Sequence, residues 1–204
     1  NRSENDQALF SSLRGGAITN LGLTSINVVG GTQNAAAFVG QMTTQDDLIE
    51  NCFATGNISA ASNAAGLVGT VNGGNILNCY SEVDITTTGT GCAGITTIVN
   101  NTYSTIKNCF YAGTITGGSA HGGCVTTIKA GTVKDCFYDS TKNWFNTKDG
   151  LATAVMQTAE AFSAWKDQYY NFERPVWVLR DGSYPRLFYT EATKYFIFAN
   201  NVYK

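Results

Sequence analysis

One recurrence constrains this chain more than any other feature. The strings Asn51-Cys52-Phe53, Asn78-Cys79-Tyr80, Asn108-Cys109-Phe110 and Asp135-Cys136-Phe137 repeat one pattern, with their cysteines 27, 30 and 27 residues apart. Each of the first three cysteines is followed six residues later by isoleucine: Ile58, Ile85 and Ile115. A degenerate copy, Ile18-Thr19-Asn20-Leu21-Gly22-Leu23, stands upstream, with Leu21 in the cysteine position, 31 residues before Cys52. A second element alternates with the first. It reads Ala37-Phe38-Val39-Gly40, Gly66-Leu67-Val68-Gly69, Gly94-Ile95-Thr96-Thr97 and Cys124-Val125-Thr126-Thr127, and Ala8-Leu9-Phe10-Ser11 belongs to the same series.

The segments are short, rich in β-branched and aromatic residues, and bounded by Gly, Asn, Ser and Thr, which is the pattern of strands between turns. A strand so short cannot bury its apolar face alone, so equivalent strands of successive repeats must stack and share one core. The expected fold is therefore all-β, a parallel β-solenoid (β-helix) of about 4–5 coils of 27–31 residues. A leucine-rich repeat has a similar period, but the Leu-x-x-Leu-x-Leu spacing and a helical return path are missing. A propeller blade needs about 40 residues and four strands.

Composition excludes several functions. Charged residues make up 14% of the chain and the net charge is −2, without a cluster of Lys and Arg. Nucleic acid and anionic membranes both demand a basic footprint, so neither is expected as a partner. The longest apolar runs fall short of the roughly 20 residues that span a bilayer, so no membrane insertion is expected.

The alternation of Gly66-Leu67-Val68-Gly69 with Ile76-Leu77-Asn78-Cys79-Tyr80 resembles the GLUG repeat of bacterial surface proteins, adhesin-like proteins and IgA-protease-type metallopeptidases. The strings Asn51 to Ile58 and Asn108 to Ile115 are similar to that family's strand, and the segment from Gly150 to Leu187 resembles the region that often closes such arrays. The resemblance spans roughly residues 8 to 188. It implies a secreted or cell-surface protein. Two departures stand out. The third and fourth copies read Ala93-Gly94-Ile95-Thr96 and Gly123-Cys124-Val125-Thr126 where the family has Gly-Leu-Val-Gly, and with His121 as the single histidine there is no His-Glu-x-x-His zinc motif.

The repeat pattern stops after Asp139, which divides the chain into a solenoid at 1–139 and a capping region at 140–204. In the latter, Val155, Met156, Ala159, Phe162 and Trp165 recur near helical spacing, predicting one helix from Thr153 to Trp165. Val176 to Leu179, Asp181-Gly182 and Tyr184 to Phe188 read as a β-hairpin, and Tyr195 to Phe198 as a further strand. Phe162, Trp165 and Trp177 suit the lid that an open solenoid end requires. The first residues, Asn1 to Asp6, lack an initiator Met and a signal-peptide pattern, so flanking domains of a longer parent protein are expected upstream, unless residues 1–9 fold over the end.

Candidate chemistry is sparse. Cys52, Cys79, Cys109 and Cys136 share a slot that accepts Leu21, which marks it as buried and apolar. Buried thiols are favoured over disulfides, because side chains stacked in register point the same way. Cys92 and Cys124 complete the six, and no Cys-x-x-Cys pair suggests a metal. Asn51, Asn78 and Asn108, with Asp135 in the fourth copy, are expected to form an amide ladder at a corner, capping backbone groups that the turn leaves unpaired. His121 is read as a surface loop residue. The acids Asp46, Asp47, Glu50, Glu82, Asp84, Asp135 and Asp139 do not recur in pairs in adjacent coils, and are read as scattered solvated groups rather than a glycosidase pair. Thr86 to Thr88, Thr96-Thr97 and Thr126-Thr127 are read as a solvated face rather than an ice-binding array. Asn1, Asn57 and Asn100 head Asn-x-Ser/Thr glycosylation patterns.

The function expected is a non-catalytic, adhesin-like repeat module that binds a glycan or an extracellular protein, without cofactor. Tyr111 and Tyr138, on adjacent coils, are the expected contact stripe, unless they pack beneath a loop. The alternatives are a purely structural stalk or spacer and, further off, a carbohydrate-active enzyme on a β-helix.

Overall fold

A computed structural model describes residues 5–145, 147–166, 169–170 and 174–190. The expected strand at Tyr195 to Phe198 lies outside the described residues. The chain divides into two compact units, 1–151 and 152–204.

The first unit is a parallel β-solenoid of about four turns. Its strands form four faces, met in the same order in every coil. The first is short, joining Ala64–Ala65, Thr90–Ala93 and Ser119–Gly122, with a single bridge from Ala35 to Ala64. The second stacks Phe10–Leu13, Val39–Met42, Val68–Val71, Thr96–Val99 and Val125–Ile128. The third stacks Ala17–Thr19, Leu48–Glu50, Asn75–Leu77, Thr105–Lys107 and Thr132–Lys134. The fourth carries the long strands Gly22–Val29, Phe53–Ala60 and Tyr80–Thr87, then the shorter Phe110–Tyr111, Ile115–Thr116, Phe137–Asp139 and Gly150–Leu151.

Register follows the repeat on the third and fourth faces. On the second, Thr96 pairs with Val125 and Ile98 with Thr127, so the copy Cys124-Val125-Thr126-Thr127 sits one residue out of step with its sequence alignment. Ile18, Ile49, Ile76, Ile106 and Val133 pair directly along the third face. Ile58, Ile85 and Ile115 do so on the fourth. The interior is filled by these residues with Phe38, Leu67 and Ile95 of the second element, all buried except Ile115 and Val133 in the last coils, which are partly buried. Because side chains alternate across a strand, Cys52 and Ala54 join this core while Phe53, between them, points away. Phe53, Tyr80 and Phe110 accordingly stack on the opposite side, with ring centroids 4.9 Å apart and planes within 8° and 5° of parallel. That is the interstrand repeat of about 4.8 Å expressed in side chains.

The corner between the third and fourth faces is made by a left-handed residue in every coil. Asn20, Asn51, Asn78, Asn108 and Asp135 have φ between 52° and 54°. Asn and Asp tolerate this conformation better than other residues with a Cβ, which accounts for their recurrence before the cysteine. At the N-terminal end, described residues 6–9 run alongside 33–37, with Asp6 N donating to Gln33 O, Ala36 N to Gln7 O and Leu9 N to Ala37 O. They continue the coil rather than fold across it.

The solenoid unit extends further than the sequence pattern suggested. After a loop at 140–149 the chain returns to the fourth face, where Gly150–Leu151 pairs with Tyr138 and Asp139, so the division falls at Leu151/Ala152 rather than at 139/140.

The second unit contains the expected hairpin, Trp177–Val178 antiparallel to Arg186–Leu187, and another pair, Tyr169–Tyr170 with Arg174–Pro175. The single expected helix is instead two pieces, an α-helix at Thr153–Met156 and a 3-10 helix at Glu160–Trp165. Thr158 accounts for the break: its hydroxyl donates to Val155 O at 2.8 Å and accepts from Ala161 N at 3.3 Å, while the Asp181 carboxylate accepts Ala159 N at 3.0 Å. These bonds replace the helical ladder locally. Phe162, Trp165 and Trp177 are buried, with ring centroids 4.6 Å and 4.8 Å apart along the series. Among the described residues no helix is long and apolar enough to cross a membrane.

Candidate functional site

The cysteine ladder is interior. All six thiols are free and buried. Each of Cys52, Cys79, Cys109 and Cys136 donates to the carbonyl two residues earlier, at 3.2, 3.0, 3.2 and 3.3 Å, and approaches the carbonyl of Ile18, Ile49, Ile76 or Ile106 in the preceding coil at 3.5–3.7 Å. Burial pushes the Cys79 and Cys124 thiols well up, and that of Cys92 to about 11. A protonated thiol shut away from solvent is a poor nucleophile and a poor ligand.

The amide ladder is present and interrupted. Asn51 Nδ2 donates to Asn20 Oδ1 at 3.2 Å, and Asn108 Nδ2 to Asn78 Oδ1 at 3.0 Å, while Asn51 Oδ1 has no partner. This is corner architecture, buried in Asn51, Asn78 and Asn108 alike.

Tyr111 and Tyr138 are not a surface stripe. Both are within 1% of complete burial. Each stands two residues after its cysteine and so shares its inward side. The Tyr111 hydroxyl donates to Val83 O at 3.1 Å, and that of Tyr138 to Phe145 O at 2.6 Å and Thr147 O at 3.4 Å. Tyr138 lies beneath the 140–149 loop, and Tyr111 within the coil stack.

Two acids are structural rather than solvated. Asp47 is fully buried and accepts five hydrogen bonds. Gly15 N (2.6 Å), Gly16 N (3.3 Å) and Thr44 Oγ1 (2.8 Å) meet Oδ1, and Thr43 N (2.7 Å) and Thr44 N (2.9 Å) meet Oδ2. Burial raises its pKa, but the bonds from Thr44, Thr43 and Gly16 outweigh that, leaving the carboxyl below its usual value. Asp139, also fully buried, accepts Thr141 N at 2.9 Å and Lys142 N at 3.3 Å. Asp84 is exposed and accepts the amide and hydroxyl of Thr114, at 2.8 and 2.7 Å. Among the described residues no group of three or more His, Cys, Asp or Glu side chains is placed to hold a metal ion.

Threonine divides similarly. Thr96, Thr97 and Thr87 are buried, and Thr97 Oγ1 donates to Gly69 O at 2.5 Å, so the second face is not a solvated threonine array there. His121 lies on the strand Ser119–Gly122 rather than in a loop, its ring against Phe145 at 5.5 Å and its Nε2 2.8 Å from Gly117 O.

Of the described large apolar side chains that face solvent, Trp144 is the most exposed, at 94%, ahead of Tyr103 at 71%. The Trp144 loop is tightly based. Asn143, buried, donates from Nδ2 to Gly113 O at 2.8 Å and accepts Ile115 N through Oδ1 at 2.8 Å. It thereby bonds the backbone where the fourth-face strand is interrupted between Phe110–Tyr111 and Ile115–Thr116. Lys142 Nζ donates to Ala112 O at 2.5 Å. On the other side Phe145 packs against the rings of His121 and Tyr138, both at 5.5 Å. Sequence reasoning passed over Trp144 because it stands outside the repeat. The signal available was an aromatic pair, Trp144-Phe145, set among turn-forming polar residues.

Neither a family model, nor a curated protein, nor a solved structure matches the chain.

Proposed function

We propose that this chain is a non-catalytic, adhesin-like module of a secreted or cell-surface protein, which contacts a glycan or an extracellular protein. The observation that supports this reading is how its reactive groups are used: Asp47 and Asp139 are bound to backbone amides, and the six thiols are buried. The resemblance of the repeat to GLUG arrays points the same way. Thiols kept from solvent would also survive an oxidising exterior without pairing. The experiment is to incubate the purified chain with a panel of polysaccharides and, separately, on surfaces coated with extracellular glycoproteins. Saturable capture without new reducing ends or unsaturated products is expected. Product release overturns the reading in favour of a β-helix enzyme.

A spacer is the second reading. It is favoured by the edge strands Phe10–Leu13, Ala17–Thr19 and Gly22–Val29, each the terminal strand of its sheet among the described residues. Absence of capture on every surface would select it.

A further inference from the structure

Resting on the binding-module reading, we propose that Trp144 is a platform for one neutral pyranose ring of an extracellular glycan. Three observations carry this. The first is rigidity: the exposed indole is flanked by buried Asn143 and half-buried Phe145, both anchored to the solenoid by the bonds and ring contacts given above. The backbone that carries the indole is thus already fixed, so binding has only the two side-chain torsions of Trp144 to order.

The second is size. A tryptophan side chain offers about 150–250 Å², against roughly 800 Å² per partner in a stable protein interface. Among the described residues of its loop, Trp144 is the one exposed large apolar side chain, and the others exposed are Thr141, Lys142, Thr147, Lys148 and Asp149. An isolated ring with a polar rim cannot nucleate a protein interface, but it matches the apolar face and hydroxyl edge of a single sugar.

The third is charge. The described residues of the loop carry Lys142, Lys148 and Asp149, a single net positive charge and no cluster of bases, on a chain of net charge −2. Nothing here draws a polyanion, so the sugar is neutral. One stacked ring gives a weak monovalent contact, on the order of 1 mM, so useful adhesion comes from many copies or many sugars.

The test displays the chain tetravalently on an array of neutral and acidic glycans, beside Trp144→Ala and Trp144→Tyr, with melting temperatures confirming that all are folded. A fluorescence titration with the best-bound neutral oligosaccharide is the second readout. Trp165 and Trp177 are buried, so Trp144 dominates the quencher-accessible emission. Binding of at least one neutral glycan class, reduced tenfold or more in Trp144→Ala, largely kept in Trp144→Tyr, and accompanied by a blue shift is expected. Binding that survives Trp144→Ala, a preference for acidic glycans, or silence across the array overturns the inference. Capture of enzymatically deglycosylated proteins by the Trp144→Ala variant would leave the module reading standing while removing the glycan site.

Discussion

The ring of Tyr111 occupies the space that a side chain at position 94 would need: a Cβ on Gly94 would lie 2.0 Å from Tyr111 Cγ. The next coil repeats the relationship, with a Cβ on Gly123 falling 2.0 Å from Tyr138 Cδ1. Glycine in the second element and tyrosine two residues after the cysteine therefore form a matched pair. Where the pair is earlier in the chain, Gly66 faces the smaller Ser81.

Gly94→Ala is expected to destabilise the fold by about 1–3 kcal/mol through overpacking, and Tyr111→Ala by about 3–5 kcal/mol through the cavity it leaves. The double variant Gly94→Ala, Tyr111→Ala should cost less than the two together, because the methyl then has room. Urea unfolding of the three variants measures the coupling. Strict additivity would show that the ring and the glycine do not compete for space.

Asp47 predicts an acid dependence. Its folded pKa is depressed, so its stabilisation is complete above its unfolded value of about 4 and is lost as pH falls through the lower folded value. Asp47→Ala strands the amide donors of Gly16 and Thr44, while those of Gly15 and Thr43 keep Thr44 Oγ1 and Leu13 O, and should cost on the order of 3 kcal/mol at pH 7. The gap between wild type and variant should narrow below pH 4 in thermal melts. A gap independent of pH would show that the negative charge contributes nothing.

The repeat made the coils, their register and the buried cysteine slot legible, because each rests on apolar residues recurring at one period: Ile58 over Ile85 over Ile115 is both a sequence pattern and a bonded register. Tyr111 and Tyr138 were misplaced although parity alone locates them. Counting two residues on from an inward cysteine returns to the inward side, whatever the polarity of a phenol. Asp47 was harder to see, since its acceptors are filled by amides of Gly15 and Gly16 one coil away. Trp144 lies outside any period, and its exposure follows from Asn143 bonding across an interrupted strand, a long-range event with no local signature.

The left-handed corner separates conformation from hydrogen bonding. Asn108 has φ 52° and donates to Asn78. Asn108→Gly removes the bond but accepts the backbone angle, while Asn108→Ala loses both, so alanine should be worse by about 1 kcal/mol. Asn108→Asp keeps an angle that half-exposed Asp135 also adopts at φ 53°, but sets a buried carboxylate against Asn78 Oδ1, and should cost at least as much as Asn108→Gly. Equal losses for Gly and Ala in chemical denaturation would mean that the angle stores no strain.

The six thiols should titrate with unfolding rather than with exposure. In native buffer at pH 8 a thiol reagent such as dithionitrobenzoate should label none of the cysteines on the timescale of minutes, and in denaturant all six. For Cys79, Cys92 and Cys124 the pH dependence has a definite sign. Burial raises their folded pKa, to about 11 for Cys92, so the unfolded chain gives up these protons first as pH rises. Stability from this source is fully present below the unfolded value of about 8.5–9, falls as pH rises above it, and is lost by the folded value. Melting temperature should therefore drop between pH 9 and about 11, and less so in Cys92→Ala relative to its own value at pH 7. Fast labelling of one or more cysteines at pH 8 without denaturant would show that the coil stack opens locally, and would mark that coil as the weakest in the solenoid.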